Sequence, residues 1–372
     1  MAAALPARRK WELFLAGQDV GPMVSPLCDN WSLDQPYRWP FDRPEPFPAG
    51  HRHHALCEQM AMARLCGWDA TFLAGADCTP RNADARPRTS GTPIAGGRRT
   101  EARIDTPYGP LVSVVEQKVT QHVVKAELQT EEDYRRKAWF YRQQLDYDVD
   151  AAIAEARQLA AAVGEEGVLG TWYGPPISCI DRAEGYYHLA DWPEAVEELR
   201  QAARELALKR LEGLRAGGFD YLFYCVDGTE WISPDFFRRY VLDDTREILA
   251  RWRALGGWVL WHSCGRVARF VEEGFYNELR PEVFETVSEP PVGDLPSLAW
   301  ARERIDPAIA TKGNMPLEVL RRGSEEDVRR EVARIRGQTR GRRHVVGLSD
   351  DVLPGTPLAN CRAMVDEARR PS

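Results

Sequence analysis

The sequence is short of several things at once. No run in it approaches the roughly 18 consecutive apolar residues that a membrane-spanning helix needs, so no membrane partner is expected. Residues 1–17 lack the charged-then-apolar layout and small-residue cleavage site of a secretory signal. Basic residues are outnumbered, 49 against 56 acidic, giving a formal net charge of -7 with no long block of one sign. Nothing here would coat a phosphate backbone, and nucleic acid is not an expected partner. The eight cysteines (28, 57, 66, 78, 179, 225, 264 and 361) contain no C-x-x-C and none of the dense spacing of a disulfide framework. No internal repeat is visible. These absences point to a cytoplasmic protein with reduced thiols.

What is present is ample material for a core: 372 residues, 44% of them hydrophobic. Short apolar runs alternate with longer amphipathic, charged segments, the pattern of βα units around a parallel sheet. Eight strands are expected, at Pro22–Cys28, Ala70–Gly75, Gly167–Gly174, Tyr221–Val226, Trp258–His262, Val283–Ser288, Ile309–Asn314 and His344–Ser349. Helical patterns fall between them: Leu56–Leu65, a pair across Glu131–Val163, Trp192–Arg215, Asp235–Ala254, Val267–Leu279, Leu298–Arg304, Ser324–Gly337 and Pro357–Arg369. Eight such units predict a (β/α)8 TIM barrel spanning residues 1–372 as a single domain, with a doubly wound open sheet as the alternative. Residues 98–128 read as an inserted β-hairpin turning at Thr106-Pro107-Tyr108-Gly109. The Pro-, Gly- and Arg-rich stretch 79–97 before it reads as an exposed loop.

The chemistry gathers where the strands end. Trp258-Val-Leu-Trp-His-Ser-Cys-Gly265 is an apolar run closing on His262 and Cys264. In extended chain, residues i and i+2 point to one side, so this pair can present an imidazole nitrogen and a thiolate to one ion. Zinc accepts such a mixed shell. In a barrel the active site forms at the strand C-termini, and there the sequence places Asp29, Asp227, Glu230, Glu289, Asp294, Asp350 and Asp351. Carboxylates crowded at one mouth call for a cation, although some acids at such positions simply cap the next helix, the reading preferred for Ser233 and Asp235 around Pro234. The cluster His51, His53 and His54 reads as a solvated loop, and Cys361 as core.

Four patterns in order, Glu230-Trp-Ile-Ser-Pro234 with Phe236-Phe237, His262-Ser-Cys-Gly265, Gly313-Asn314 with Leu320 and Gly323, and Thr356-Pro357 with Asn360, carry a family resemblance. The chain resembles the uroporphyrinogen decarboxylase superfamily, which includes zinc-dependent methyltransferases acting on methyl-corrinoid proteins and thiols. The resemblance implies a (β/α)8 barrel with a funnel-shaped site. True uroporphyrinogen decarboxylases carry an R-Q-A-G-R-Y segment for the substrate carboxylates. The corresponding Ser25-Pro-Leu-Cys-Asp-Asn-Trp31 has no arginine, so an eight-carboxylate substrate would meet acids instead. The methyltransferase branch uses the H-x-C pair plus a cysteine near the last strand as zinc ligands. Here that third position, counted back from Thr356-Pro357, is Asp350, with Asp351 its neighbour. Carboxylate oxygen is an ordinary zinc ligand, and the harder shell favours oxygen or amine substrates. Glu230 and Asp227 are the candidate general acid/base residues. Asp29, Tyr173, Trp231 and Asn314, with Trp172, are candidates for binding substrate. The expected activity is zinc-dependent methyl transfer between a small molecule and a thiol or a corrinoid carried on a separate protein. The alternative is a metal-free decarboxylase, and a degenerate barrel acting only as a binding protein is the third reading.

Overall fold

The computed structural model describes residues 5–28, 34–118, 121–179, 183–226 and 231–371. Twelve strands follow in chain order. They are β1 (Met23–Val24), β2 (Ala70–Leu73), β3 (Arg88–Ile94), β4 (Gly97–Thr106), β5 (Gly109–Gln117), β6 (Gln121–Lys125), β7 (Gly167–Tyr173), β8 (Tyr221–Cys225), β9 (Trp258–His262), β10 (Val283–Thr286), β11 (Ala310–Met315) and β12 (His344–Leu348). Eight form one sheet in the order β1-β12-β11-β10-β9-β8-β7-β2, with all pairings parallel. This is the (β/α)8 TIM barrel, and each of the eight expected strands contributes to it. Parallel neighbours need a crossover, and amphipathic helices supply it, their apolar stripes packed on the outer face of the sheet. Among the described residues no helix is long and apolar enough to cross a membrane.

Inside the barrel, alternate residues fill the lumen. Met23, Leu73, Val168, Tyr221, Phe223, Leu260, Val283, Ala310 and Val345 form its apolar lower layers. Gly170 makes room for one of them: a Cβ there would stand 2.3 Å from the Tyr221 ring, whose hydroxyl donates to Phe72 O at 3.0 Å. Helix Ala7–Leu15, which the sequence pattern did not announce, seals the floor. Its Trp11 is fully buried and stacks on Trp258 at 5.6 Å. Arg8 forks onto Asp220 at 3.0 and 2.9 Å.

Among the described residues no strand ladder joins β1 to β2, and the seam is closed mainly by Asp69. Its backbone N–H donates to Val24 O at 2.7 Å, and its carboxylate accepts from Val24 N at 3.0 Å. The same carboxylate takes Lys10 Nζ at 2.7 Å and Arg369 Nη2 at 3.0 Å, and its carbonyl accepts from Trp11 Nε1 at 2.9 Å. One residue therefore ties the first strand pair to the floor helix and to the end of the last helix.

The insertion is larger than expected. The hairpin of β4 and β5 is there, turning between Thr106 and Gly109, but β3 and β6 flank it to make a four-stranded antiparallel sheet. β3 falls in the stretch read as a loop. Its residues are exposed apart from half-buried Ile94, so no apolar alternation marks it as strand. The sheet is anchored through Ile104 and Leu111 on Phe140 of helix Glu131–Gln143. That helix starts on a capping box between Thr130 and Asp133.

Asp69→Ala removes the seam clasp and leaves Lys10 and Arg369 without their buried partner. We expect a loss of about 3 kcal/mol in urea unfolding, in the range of breaking a buried pair from one side, with the parallel-sheet circular dichroism retained below the transition.

Candidate metal centre

The top of the lumen is charged where the lower layers are apolar. The register sets Cys225 opposite His262, His262 opposite Glu285, and Glu285 opposite Lys312, so four neighbouring strands contribute one row. His262, Glu285 and Lys312 are 3%, 2% and 1% exposed. His262 Nδ1 and Glu285 Oε1 lie 2.7 Å apart, and Lys312 Nζ donates to the other Glu285 oxygen. Buried charges persist only when paired and hydrogen-bonded, and here each partner supplies that. Burial works against the charged form of Glu285, but Lys312 and the bond to His262 outweigh it and hold the carboxyl below its usual range. Burial likewise works against protonated His262, but hydrogen bonds with Cys264 and Glu285 outweigh it and push the imidazole up to about 10.

With Nδ1 engaged by Glu285, His262 presents Nε2 to the mouth, 3.8 Å from Asp350 Oδ1. One ligand atom each from His262, Cys264 and Asp350 lies within 4.8 Å of the others. His262 is buried, Cys264 half-buried, and the Asp350 side chain 35% exposed. Zinc bonds of about 2.0–2.3 Å keep the ligands of one ion within about 4 Å of each other, so small side-chain adjustments would close the set on an ion. Nitrogen, sulfur and oxygen donors carrying two negative charges suit a borderline dication. The Glu285–His262 bond is the outer-shell arrangement that fixes a ligating imidazole. The residues present therefore fit a zinc ion.

The other sequence-based candidates among the described residues are dispersed. Asp29, Asp227 and Glu230 lie outside the described residues. Trp172, rather than Tyr173, faces the lumen: its ring centroid is 6.4 Å from His262 and 4.4 Å from Phe223, and it is 45% exposed. Tyr173 points to the helix side of β7, its hydroxyl donating to Ala207 O. Trp231 is 68% exposed. The Asn314 amide donates to Val287 O and Glu289 and accepts from Arg334, bracing the ends of β10 and β11. Asp351 accepts from Val352 N. Asp294 caps the turn at Val267 and Ala268, and Ser233 caps helix Pro234–Tyr240, so the capping role expected of Ser233 holds. Asp235 pairs with Arg238 at 3.0 Å. The expectation of a solvated loop at the start of a helix holds for exposed His51 and is corrected for the other two: His53 is 9% exposed, and His54, at the start of helix His54–Cys66, has its side chain 18% exposed.

Sequence reasoning missed Glu285, Lys312 and Phe223. The signal was present, because Glu285 and Lys312 are single charges inside otherwise apolar or small-residue strand segments, where an unpaired charge would be untenable.

A family model described as Uroporphyrinogen decarboxylase (URO-D) matches residues 183–371. A uroporphyrinogen decarboxylase of Gluconobacter oxydans (strain 621H) is 30% identical over 151 residues, covering 37% of this chain and 38% of the relative. One of Granulibacter bethesdensis (strain ATCC BAA-1260 / CGDNIH1) is 28% identical over 167 residues, covering 44% and 46%. The chain thus spans less than half the length of these relatives. Among solved structures, a methyltransferase from Methanosarcina mazei shares the fold, with a TM-score of 0.62 and 13% identity over 98% of both chains.

Two outcomes follow for metal-free protein. Pairing of charged His262 with Cys264 and Glu285 contributes stability that is fully present below its ordinary value of 6.5 and fades as pH climbs through about 10; melting temperature should fall across that span, and less so in His262→Gln. Glu285→Gln leaves Lys312 buried without a counter-charge and should cost about 3–5 kcal/mol in denaturant unfolding, partly recovered by adding Lys312→Met.

Proposed function

The chain belongs to the uroporphyrinogen decarboxylase family, and within it we propose a zinc-dependent enzyme that moves a methyl group between a small molecule and a thiol or a corrinoid protein. The observation that carries this reading is the set His262, Cys264 and Asp350, whose ligand atoms converge at the mouth of the barrel. A thiolate beside an imidazole is a soft site with no evident use in metal-free decarboxylation. The absence of arginine in Ser25–Trp31 also argues against a polycarboxylate substrate.

When bound, zinc would supply Lewis acidity, lowering the pKa of a coordinated thiol or polarising an ether oxygen. The chain's own residues do the rest. Glu285 holds His262 in the orientation that turns Nε2 to the mouth, and Lys312 keeps Glu285 ionised. Cys264 and Asp350 bring the compensating charge. The half-exposed Asp350 leaves the outer side open to an incoming molecule. Trp172 and Phe223, at 6.4 and 4.9 Å from the His262 ring, form an apolar wall that excludes water beside the ligands and suits a methyl group. We assign proton transfer to the departing atom to Glu230, with Asp227 as its partner, on the segment after β8, and substrate contacts to Asp29 and Trp231.

Protein purified without chelators should hold zinc by elemental analysis, and His262→Ala/Cys264→Ala should lower its zinc content by about one ion per chain. Glu285→Ala should weaken zinc affinity about 10–100-fold, the usual cost of removing an outer-shell partner. Zinc-loaded protein should transfer methyl groups from an ether or amine donor to a thiol or to a reduced corrinoid. Porphyrinogen decarboxylation that survives complete removal of metal, with no methyl transfer, would overturn the proposal in favour of the decarboxylase reading.

A further inference from the structure

A second set of ligand-bearing side chains lies outside the barrel lumen. Glu45, His54 and Cys57 each offer one atom within 4.8 Å of the others. His54 and Cys57 stand one turn apart at the start of helix His54–Cys66 and therefore share a face. Glu45 comes from residues 34–53, which contain no helix or strand. His54 Nδ1 is 3.2 Å from Glu45 Oε1 and 2.8 Å from Phe47 O. Burial pushes the Cys57 thiol up to about 11 despite a backbone hydrogen bond to Phe47, so an ion must displace its proton on binding. Cys57 is fully buried, while the Glu45 and His54 side chains are 24% and 18% exposed.

We propose that Glu45, His54 and Cys57 form a second metal site, a structural one, that takes zinc or a similar borderline divalent ion. Thiolate excludes magnesium and calcium as fitting occupants, and the N, S, O donor set suits zinc. Thiolate and carboxylate together neutralise a dication, and water completes the shell. The 3.2 Å between His54 Nδ1 and Glu45 Oε1 matches the ligand-to-ligand edge of about 3.3 Å that bonds near 2.0 Å produce in a tetrahedron, and an ion there takes the place of the proton that Nδ1 donates to Phe47 O. Part of an outer shell is in place, because the Tyr37 hydroxyl donates to Glu45. The segment 34–53 is a long stretch without secondary structure inside a compact fold, where an added anchor has most to contribute. A metal bridging Glu45 to the first turn of helix His54–Cys66 would pin that segment to the barrel wall.

The two sites share no ligand, so they can be separated. His262→Ala/Cys264→Ala protein, loaded with excess zinc and gel-filtered, should retain about one zinc per chain, and loading it with cobalt(II) should give a thiolate-to-metal charge-transfer band. Removing His54 and Cys57 as well should abolish both signals. In otherwise wild-type protein, His54→Ala/Cys57→Ser should lose one zinc and speed proteolytic cleavage within 34–53. A folded His262→Ala/Cys264→Ala variant that holds no zinc and gives no cobalt band overturns the proposal, because Glu45, His54 and Cys57 are then held by hydrogen bonds alone. Should the lumen bind no metal, zinc content would be unchanged by the His262 and Cys264 substitutions yet lost with His54 and Cys57; that result supports this site while refuting the other.

Discussion

Everything at the mouth of this barrel depends on the barrel being closed, and closure is weakest where β1 meets β2. There the ladder gives way to the main chain and side chain of Asp69, whose carboxylate is shared by Val24 N, Lys10 and Arg369. Seven strand pairings fix the relative heights of the eight strands. The eighth contact turns that stack into a ring, so that residues from β1, β9 and β12 can face one another. Without it, Asp350 after β12 and His262 on β9 would still be three strands apart in an open sheet, but the lumen that excludes water between them would be lost.

Closure in turn explains why a charged row can exist at all. In the dry upper lumen, Lys312, Glu285 and His262 sit side by side at one height on consecutive strands, and each charge is answered by its neighbour. Such a chain has a direction. Lys312 makes Glu285 a firm acceptor, Glu285 fixes the ring of His262, and only the far nitrogen of His262 remains to face the mouth. Specificity of orientation is what the buried charges contribute here, at a cost in desolvation that three apolar residues would not have incurred.

The architecture was legible in the chain because it rests on periodicity. Trp258–His262 and Leu298–Arg304 have in the structure the bounds read from sequence, and the other barrel strands differ only at their ends, most at β1, where only Met23 and Val24 of Pro22–Cys28 form strand. Local pattern failed where burial does not alternate. The exposed β3 has no apolar face to announce it, and the floor helix Ala7–Leu15 lies at the chain's edge, with only Trp11 and Phe14 buried. The site divides the same way. His262 ends a strand and Cys264 follows it by two residues, so the pair was visible, and Asp350 was reached through family resemblance. Glu285 and Lys312 are joined to His262 only by register across strands, which no local window contains. His53 and His54 were misjudged for a similar reason: His53 pairs with Glu155, more than a hundred residues away, and His54 with Glu45 and Phe47 of the segment before it.

The floor helix has a consequence for the order in which the molecule is made. Trp11 can stack only after Trp258 exists, Arg8 needs Asp220, and the carbonyl of Phe14 receives Arg343 across 329 residues of chain. On the ribosome this helix leaves the exit tunnel early and must wait, amphipathic and unpartnered, until nearly the whole barrel has been synthesised. Its docking is therefore a late event in biogenesis, and until then its two large apolar side chains stay uncovered.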